Sequence, residues 1–233
     1  MEIIILILAI IVLSSISLLG AFYVKKYKNP DLLLGLYVAF VLVSNIVAYK
    51  IALYDFGIFE IYATSGVIVF SITFLLTDIV NEKFGLKTTQ KMIFISFLSQ
   101  IISILLILFS IYLTPAGFWA DQESFSRILG FTPRIVIASL FAFLISENLD
   151  AFLFTKFKAI TKGRHLWARN IFSSIPSMAL DTFLFVFFAF YGIQPVLKVF
   201  IGILIIKWMV GIIDIPFMYL NRYIIFKRDN QNL

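Results

Sequence analysis

No cysteine occurs in the 233 residues, so disulfides, thiolate metal sites and cysteine nucleophiles are excluded. Histidine occurs once, as His165 in a basic stretch. It reads as a residue at lipid-headgroup level rather than a general base, which needs positioned partners. The sequence has no H-E-x-x-H, G-x-S-x-G or Walker pattern, and so none of the chemistries those patterns carry. ATP hydrolysis by a P-loop is thereby ruled out, and neither a cofactor nor a metal is expected. Charge is scarce as well. Asp, Glu, Lys and Arg make up 14% of the chain against 61% hydrophobic residues, and the mean hydropathy is +1.02. That balance lies far outside soluble domains.

What the chain has instead is long apolar runs. Seven are close to the roughly 20 residues that a bilayer requires: Ile3–Val24, Leu32–Tyr49, Ile61–Val80, Met92–Leu113, Ile135–Phe154, Ile171–Tyr191 and Val196–Tyr219. The runs are continuous rather than alternating, and backbone groups in lipid must pair within their own segment. The expectation is an all-α polytopic membrane protein, with one transmembrane domain over residues 1–233. The first run follows Met1-Glu2 with no basic segment and exceeds the 7–15 apolar residues of a signal peptide. It reads as a retained helix over residues 1–26, peripheral to the other six. The longest connection, Thr114–Thr132, reads as an interfacial loop anchored by Trp119.

The net charge of +6 follows topology. With the N-terminus outside, one side collects Lys25, Lys26 and Lys28, then Lys83, Lys87 and Lys91. Lys156, Lys158, Lys162, Arg164 and Arg169 join them, as do Arg222, Lys227 and Arg228. The other side holds Lys50, Arg127, Arg134 and Lys198. The positive-inside rule therefore predicts N-out, C-in. The basic balance points to anionic lipid, not to nucleic acid.

Glu147, Asp181 and Lys207 each fall near the centre of a separate run. An ionisable group at that depth costs about 2.5–3.5 kcal/mol on insertion scales and marks a functional interior. In the sixth run Asn170, Ser174, Ser177 and Asp181 recur at spacings of 4, 3 and 4, which places them on one helical face. Small polar residues also serve plain helix packing, but Asp181 is poorly explained that way. Pro176 loosens this helix. In the fifth run Glu147 and Asp150 share a face at i, i+3, beside Asn148. Asp150 lies nearer the basic side, within reach of a lysine there. Lys207 needs an anion, and Asp181 and Glu147 are the two candidates at its depth, unless the pair is only structural. Asp214 follows seven residues on, and Pro216 kinks the end. Asp78 and Glu82 read as a helix end stabilised by Lys83 and Lys87. Ser96, Ser99 and Ser103 read as a packing seam.

Four segments carry a resemblance: Thr77-Asp78-Ile79-Val80-Asn81-Glu82-Lys83-Phe84-Gly85, Ser146-Glu147-Asn148-Leu149-Asp150, Thr161 through Asn170, and Ser173-Ser174 through Asp181-Thr182. In this order and spacing the chain from Leu32 onward resembles the queuosine precursor transporter family, also described as a vitamin uptake transporter family. The resemblance implies a six-helix core over residues 31–226, similar to the substrate-binding components of energy-coupling-factor transporters. The first helix is then an addition to that core. It implies a multi-pass protein of the plasma membrane that is not an enzyme. The implied cargo is a 7-deazaguanine: the nitrile or aminomethyl precursor of queuosine, queuine, or in an archaeon a precursor of archaeosine. Two positions depart from the family pattern. Met178 stands where an amide is common, and Ser146 where a glycine is common.

A guanine-like edge presents adjacent N–H donors that one carboxylate can accept. Glu147 and Asp181 suit that role. Asn148, Asn170, Ser174 and Ser177 are candidates for the rest of the edge, Lys207 for holding the carboxylates charged or binding the carbonyl, and aromatic side chains for stacking. Asp78, Glu82, Asp150, Arg169 and Asp214 are assigned structural or gating roles. Energy coupling has three open routes: a proton carried on Asp181 or Glu147, facilitated entry with trapping, or an energising partner subunit, for which Gly35-x-x-x-Ala39 is a candidate docking face, although the same motif more often serves ordinary helix packing. The rival classes are a membrane-embedded enzyme, which would gather its acids near one lipid interface, and a structural membrane protein, which would bind no ligand.

Overall fold

The computed structural model describes residues 2–57, 59–130, 132–192 and 195–227; Arg228 of the charge argument and Met1 before the first run lie outside them. The chain forms α1 (Glu2–Tyr27), α2 (Asp31–Val47), β1 (Ile51–Asp55), β2 (Glu60–Thr64), α3 (Val67–Phe84), α4 (Leu86–Tyr112), α5 (Gln122–Gly130), α6 (Thr132–Ile160), α7 (Leu166–Phe190) and α8 (Val196–Phe226). The continuous apolar runs become helices because a helix satisfies its backbone internally. α1, α4, α6, α7 and α8 are long and apolar enough to cross a membrane. α2 and α3, with 17 and 18 residues, are shorter, at about 25–27 Å. Large apolar side chains face outward along the long helices, among them Phe22, Leu105, Phe109, Ile137, Phe183 and Ile212. That is the surface a lipid solvent requires.

α3 is the central helix. It is buried without a break from Phe70 to Glu82, because α8, α2, α4 and α6 surround it. A helix buried all round takes its polar residues into the interior, and Thr73, Thr77, Asp78, Asn81 and Glu82 are all there. Gly85 turns the chain from α3 into α4 at φ +81, a conformation that glycine adopts without steric cost.

The helical bundle carries one element that the expectation lacked, a two-stranded antiparallel hairpin. Ile51 pairs with Thr64 and Asp55 with Glu60. The turn uses Gly57 at φ +77, whose N–H donates to Asp55 Oδ1 at 2.7 Å. The third apolar run was expected to start at Ile61, but residues 60–64 are strand and the helix begins at Val67. β2 is held against α8 by the small size of Gly202, where a Cβ would lie 2.1 Å from the Tyr62 carbonyl oxygen.

Three further expectations change. α1 is not peripheral: it packs on α8, α2 and α3. Ser14 Oγ donates to Asp214 Oδ1 at 2.5 Å and Asn221 Nδ2 to Ser17 Oγ at 2.8 Å. α6 continues to Ile160, six residues past the expected end at Phe154, which draws Asp150 into the interior. The 114–132 connection is not all loop, since α5 occupies 122–130 with no buried residue; Trp119 beside it is half-exposed.

Candidate functional site

Polar side chains from α3, α6 and α7 meet along one seam, because α6 and α7 form an antiparallel pair joined by a short turn and α3 lies against both. The seam runs from beneath the β-hairpin to the end of the bundle that carries Lys83, Lys158 and Arg222.

At the hairpin end, Lys207 Nζ donates to Asp181 Oδ2 as a buried ion pair. Ser146 Oγ donates to the other carboxylate oxygen, Oδ1, at 2.9 Å. Ser146 therefore supplies a bond to the central acid. Lys207 Nζ also lies 4.9 Å from the Phe70 ring centroid, a cation–π distance. This pair forms the floor of a pocket lined by Ser44 and Asn45 of α2, Thr64 of the hairpin, Phe70 of α3, Ser139 of α6, Phe185 of α7 and Ile203 of α8. Its free volume is about 30 Å³, room for a water or two. One wall is a hydrogen-bonded chain: Ser139 Oγ donates to Asn45 Oδ1 at 2.8 Å, and Asn45 Nδ2 to Gln100 Oε1 at 2.8 Å.

Deeper along the seam, Thr73 Oγ1 donates to Glu147 Oε1 at 3.1 Å, and Tyr37 of α2 faces the same carboxyl. Asp150 lies between Glu147 and Asp78, with Ser173 and Ser174 beside it. Asn170 Nδ2 donates to Asp78 Oδ2. At the basic end, Glu82 accepts from Arg169 Nη1 at 2.7 Å and lies 2.9 Å from Lys158 Nζ and 3.3 Å from Arg222 Nε.

The structure thus brings Glu147, Asn170, Ser174, Ser177, Asp181 and Lys207 onto one buried seam. Asn148 stands apart: its amide donates to its own helix at Leu144 O, 2.8 Å. Lys207 takes Asp181, not Glu147, of the two candidate anions. Glu82 takes Arg169, Lys158 and Arg222, where Lys83 and Lys87 were expected; Lys83 lies over the Phe226 ring instead. Asp150 is fully buried and has no ion pair with a lysine among the described residues. Asp214 serves the α1 contact. Ser96 is buried while Ser99 bonds its own helix. Tyr37, Thr73, Asn45 and Ser139 were missed in the sequence. Asn45 alone carried a signal, as an amide inside an apolar run.

The family model described as putative vitamin uptake transporter matches residues 64–221, from the end of β2 into α8. A probable queuosine precursor transporter of Bacillus subtilis (strain 168) is 34% identical over 167 residues, covering 70% of this chain and 72% of that protein. A probable queuosine precursor transporter of Haemophilus influenzae is 27% identical over 172 residues, covering 66% of this chain and 70% of that protein. No solved structure matches.

Proposed function

The chain belongs to the vitamin uptake transporter family, whose members are transporters and not enzymes, and from that premise we propose that it imports a 7-deazaguanine precursor of queuosine or archaeosine. It is a multi-pass membrane protein. Two relatives that bear the name queuosine precursor transporter support the cargo class. In this reading α2, α3, α4, α6, α7 and α8 form the six-helix core, α1 is an addition, and the N-terminus lies outside.

The observation that carries the reading is the buried Lys207–Asp181 pair at the floor of a pocket walled by Phe70 and Phe185. A flat base stacks on the aromatic side chains, its N–H edge faces Asp181, and its carbonyl accepts from Lys207. Ser44, Asn45 and Ser139 supply the few further polar contacts of a small-molecule site. A bicyclic base exceeds the present free volume, so entry requires the hairpin and the start of α3 to move apart from α8. Glu147 and Asn170 lie further along the seam and receive the base on its way to the basic side.

Thermal stability of the purified protein, with aminomethyl- or nitrile-7-deazaguanine against guanine and adenine, tests this. A ligand that binds only the folded state raises stability by mass action. A selective upward shift is expected. No shift with any deazapurine, in folded protein, refutes the cargo.

An energising partner subunit has one observation in its favour. Gly35 and Ala39 are exposed on α2, and a Cβ at Gly35 would meet nothing within 4 Å. A helix of an energising partner subunit would find an open face there.

A further inference from the structure

Asp78, Glu147 and Asp150 are fully buried, on facing helices α3 and α6. The groups around them come from every packed element. From α2, Tyr37 faces Glu147 and Asp150. From α7, Asp181 faces Glu147 but is held by Lys207 of α8, and Arg169 faces Asp78 but is committed to Glu82. Both nearby cations are therefore already matched to other acids. Three carboxylates stripped of water, with no cation of their own, cannot all stay charged in such an interior. Each needs a proton or a bound cation.

A second observation points the same way. Almost all buried polar atoms in proteins have a partner. Here Tyr37 OH, Ser174 Oγ, Glu147 Oε2, Asp78 Oδ1 and both oxygens of Asp150 close no hydrogen bond. The four carboxyl oxygens outnumber the Tyr37 and Ser174 hydroxyls beside them and the one unpartnered Arg169 N–H, and a carboxyl proton supplies the missing donor. A metal ion fits less well: among the described residues no three His, Cys, Asp or Glu side chains converge closely enough to hold one.

The cluster also joins two different surroundings. Glu147 is next to Ser146, which bonds Asp181 at the pocket floor. Asp78 is one turn from Glu82 and its three cations. From Thr73 to Glu82 the path along α3 is about 13 Å.

We infer that Asp78, Glu147 and Asp150 form a proton-carrying site, separate from the Asp181–Lys207 pocket, whose loading and unloading drive solute import. The inference rests on the import reading above. A proton entering from the hairpin side at Glu147 releases that acid's own proton to Asp150, Asp150 releases one to Asp78, and Asp78 releases one at the basic end, so each group ends the cycle as the acid it began as. Asp181 stays outside this relay because Lys207 is paired with it.

Infrared spectroscopy of the purified full-length protein in heavy water at neutral pH tests the site without any solute. A protonated-carboxyl carbonyl stretch is expected, and it should lose intensity in Asp150→Asn, Glu147→Gln and Asp78→Asn. Uptake of labelled aminomethyl-7-deazaguanine into proteoliposomes tests the coupling. An inward proton gradient should speed uptake several-fold; all three variants should lose that response, and Asp78→Asn and Asp150→Asn should do so while keeping the ligand-induced thermal shift. If one variant does not fold, the wild-type spectrum and the other two decide. Absence of the protonated-carboxyl band overturns the site. A gradient response that survives in all the variants, or uptake that ignores the gradient, overturns the coupling and turns attention to a partner subunit. Loss of the thermal shift in the wild type would instead refute the cargo reading.

Discussion

Arg169 and Glu82 stand 87 residues apart and close a two-point contact, Nη1 to Oε2 at 2.7 Å and Nη2 to Oε1 at 3.3 Å. The pair ties α3 to α7 at the basic end, and the fully buried guanidinium also lies 5.3 Å from the Phe154 ring. Removing one partner strands the other charge away from water. Glu82→Gln is expected to cost about 3–5 kcal/mol of stability, read as a lower thermal or denaturant midpoint in detergent. Arg169→Lys keeps charge but loses the fork and should fall between. Lys87→Ala, outside this contact, should change stability by about 0–1 kcal/mol.

The Lys207–Asp181 pair separates stability from binding. Asp181→Asn or Lys207→Met alone leaves one buried ion unmatched, at about 3–5 kcal/mol. The double variant removes both charges and should recover most of that loss. If the pair is also the solute site, the double variant stays blind to deazapurines: stability returns while the ligand-induced thermal shift and uptake do not. Recovery of uptake in the double variant would reduce the pair to a structural bridge.

Parts of this site were legible in the sequence because helix periodicity is local. The 4, 3, 4 spacing of Asn170, Ser174, Ser177 and Asp181 fixes their common face from geometry alone, and depth narrowed the partner of Lys207 to two acids. Long-range pairing was not legible. Asp78 and Glu82 sit beside Lys83 and Lys87, yet their partners Asn170 and Arg169 lie 92 and 87 residues away, chosen by how α7 packs on α3. Asp150 looked close to the membrane surface because its apolar run ends at Phe154, whereas α6 extends to Ile160. The hairpin was hidden for a similar reason. Ile61 and Ala63 are buried and count as span residues on hydropathy, so the break over residues 50–60, with Lys50, Asp55, Gly57 and Glu60, reads as a plain loop.

α1 is fastened to α8 by buried polar contacts although it lies outside the segment matched by the family model. Ser14→Ala removes a hydroxyl donor to Asp214, and a buried acceptor left without that donor costs about 1–3 kcal/mol. The expected result is a lower midpoint with deazapurine binding intact. Lost binding at unchanged stability would instead make α1 part of the solute path.

The hairpin over the pocket meets the bundle where two glycines allow backbone contact. A Cβ at Gly202 would lie 2.1 Å from Tyr62 O, and one at Gly66 would lie 2.2 Å from Ser44 O. Both neighbours are backbone atoms and cannot rotate aside, so Gly202→Ala forces β2 away from α8, while helix propensity alone would make that substitution favourable by about 1 kcal/mol. The displaced strand carries Thr64 of the pocket wall. Gly202→Ala should therefore weaken deazapurine binding by about tenfold or more, since each 1.4 kcal/mol of lost contact is a factor of ten, and should expose the hairpin amides to faster hydrogen exchange. Gly35→Ala serves as the control, because its added methyl meets nothing. Equal binding by both variants would mean that the hairpin takes no part in holding the solute.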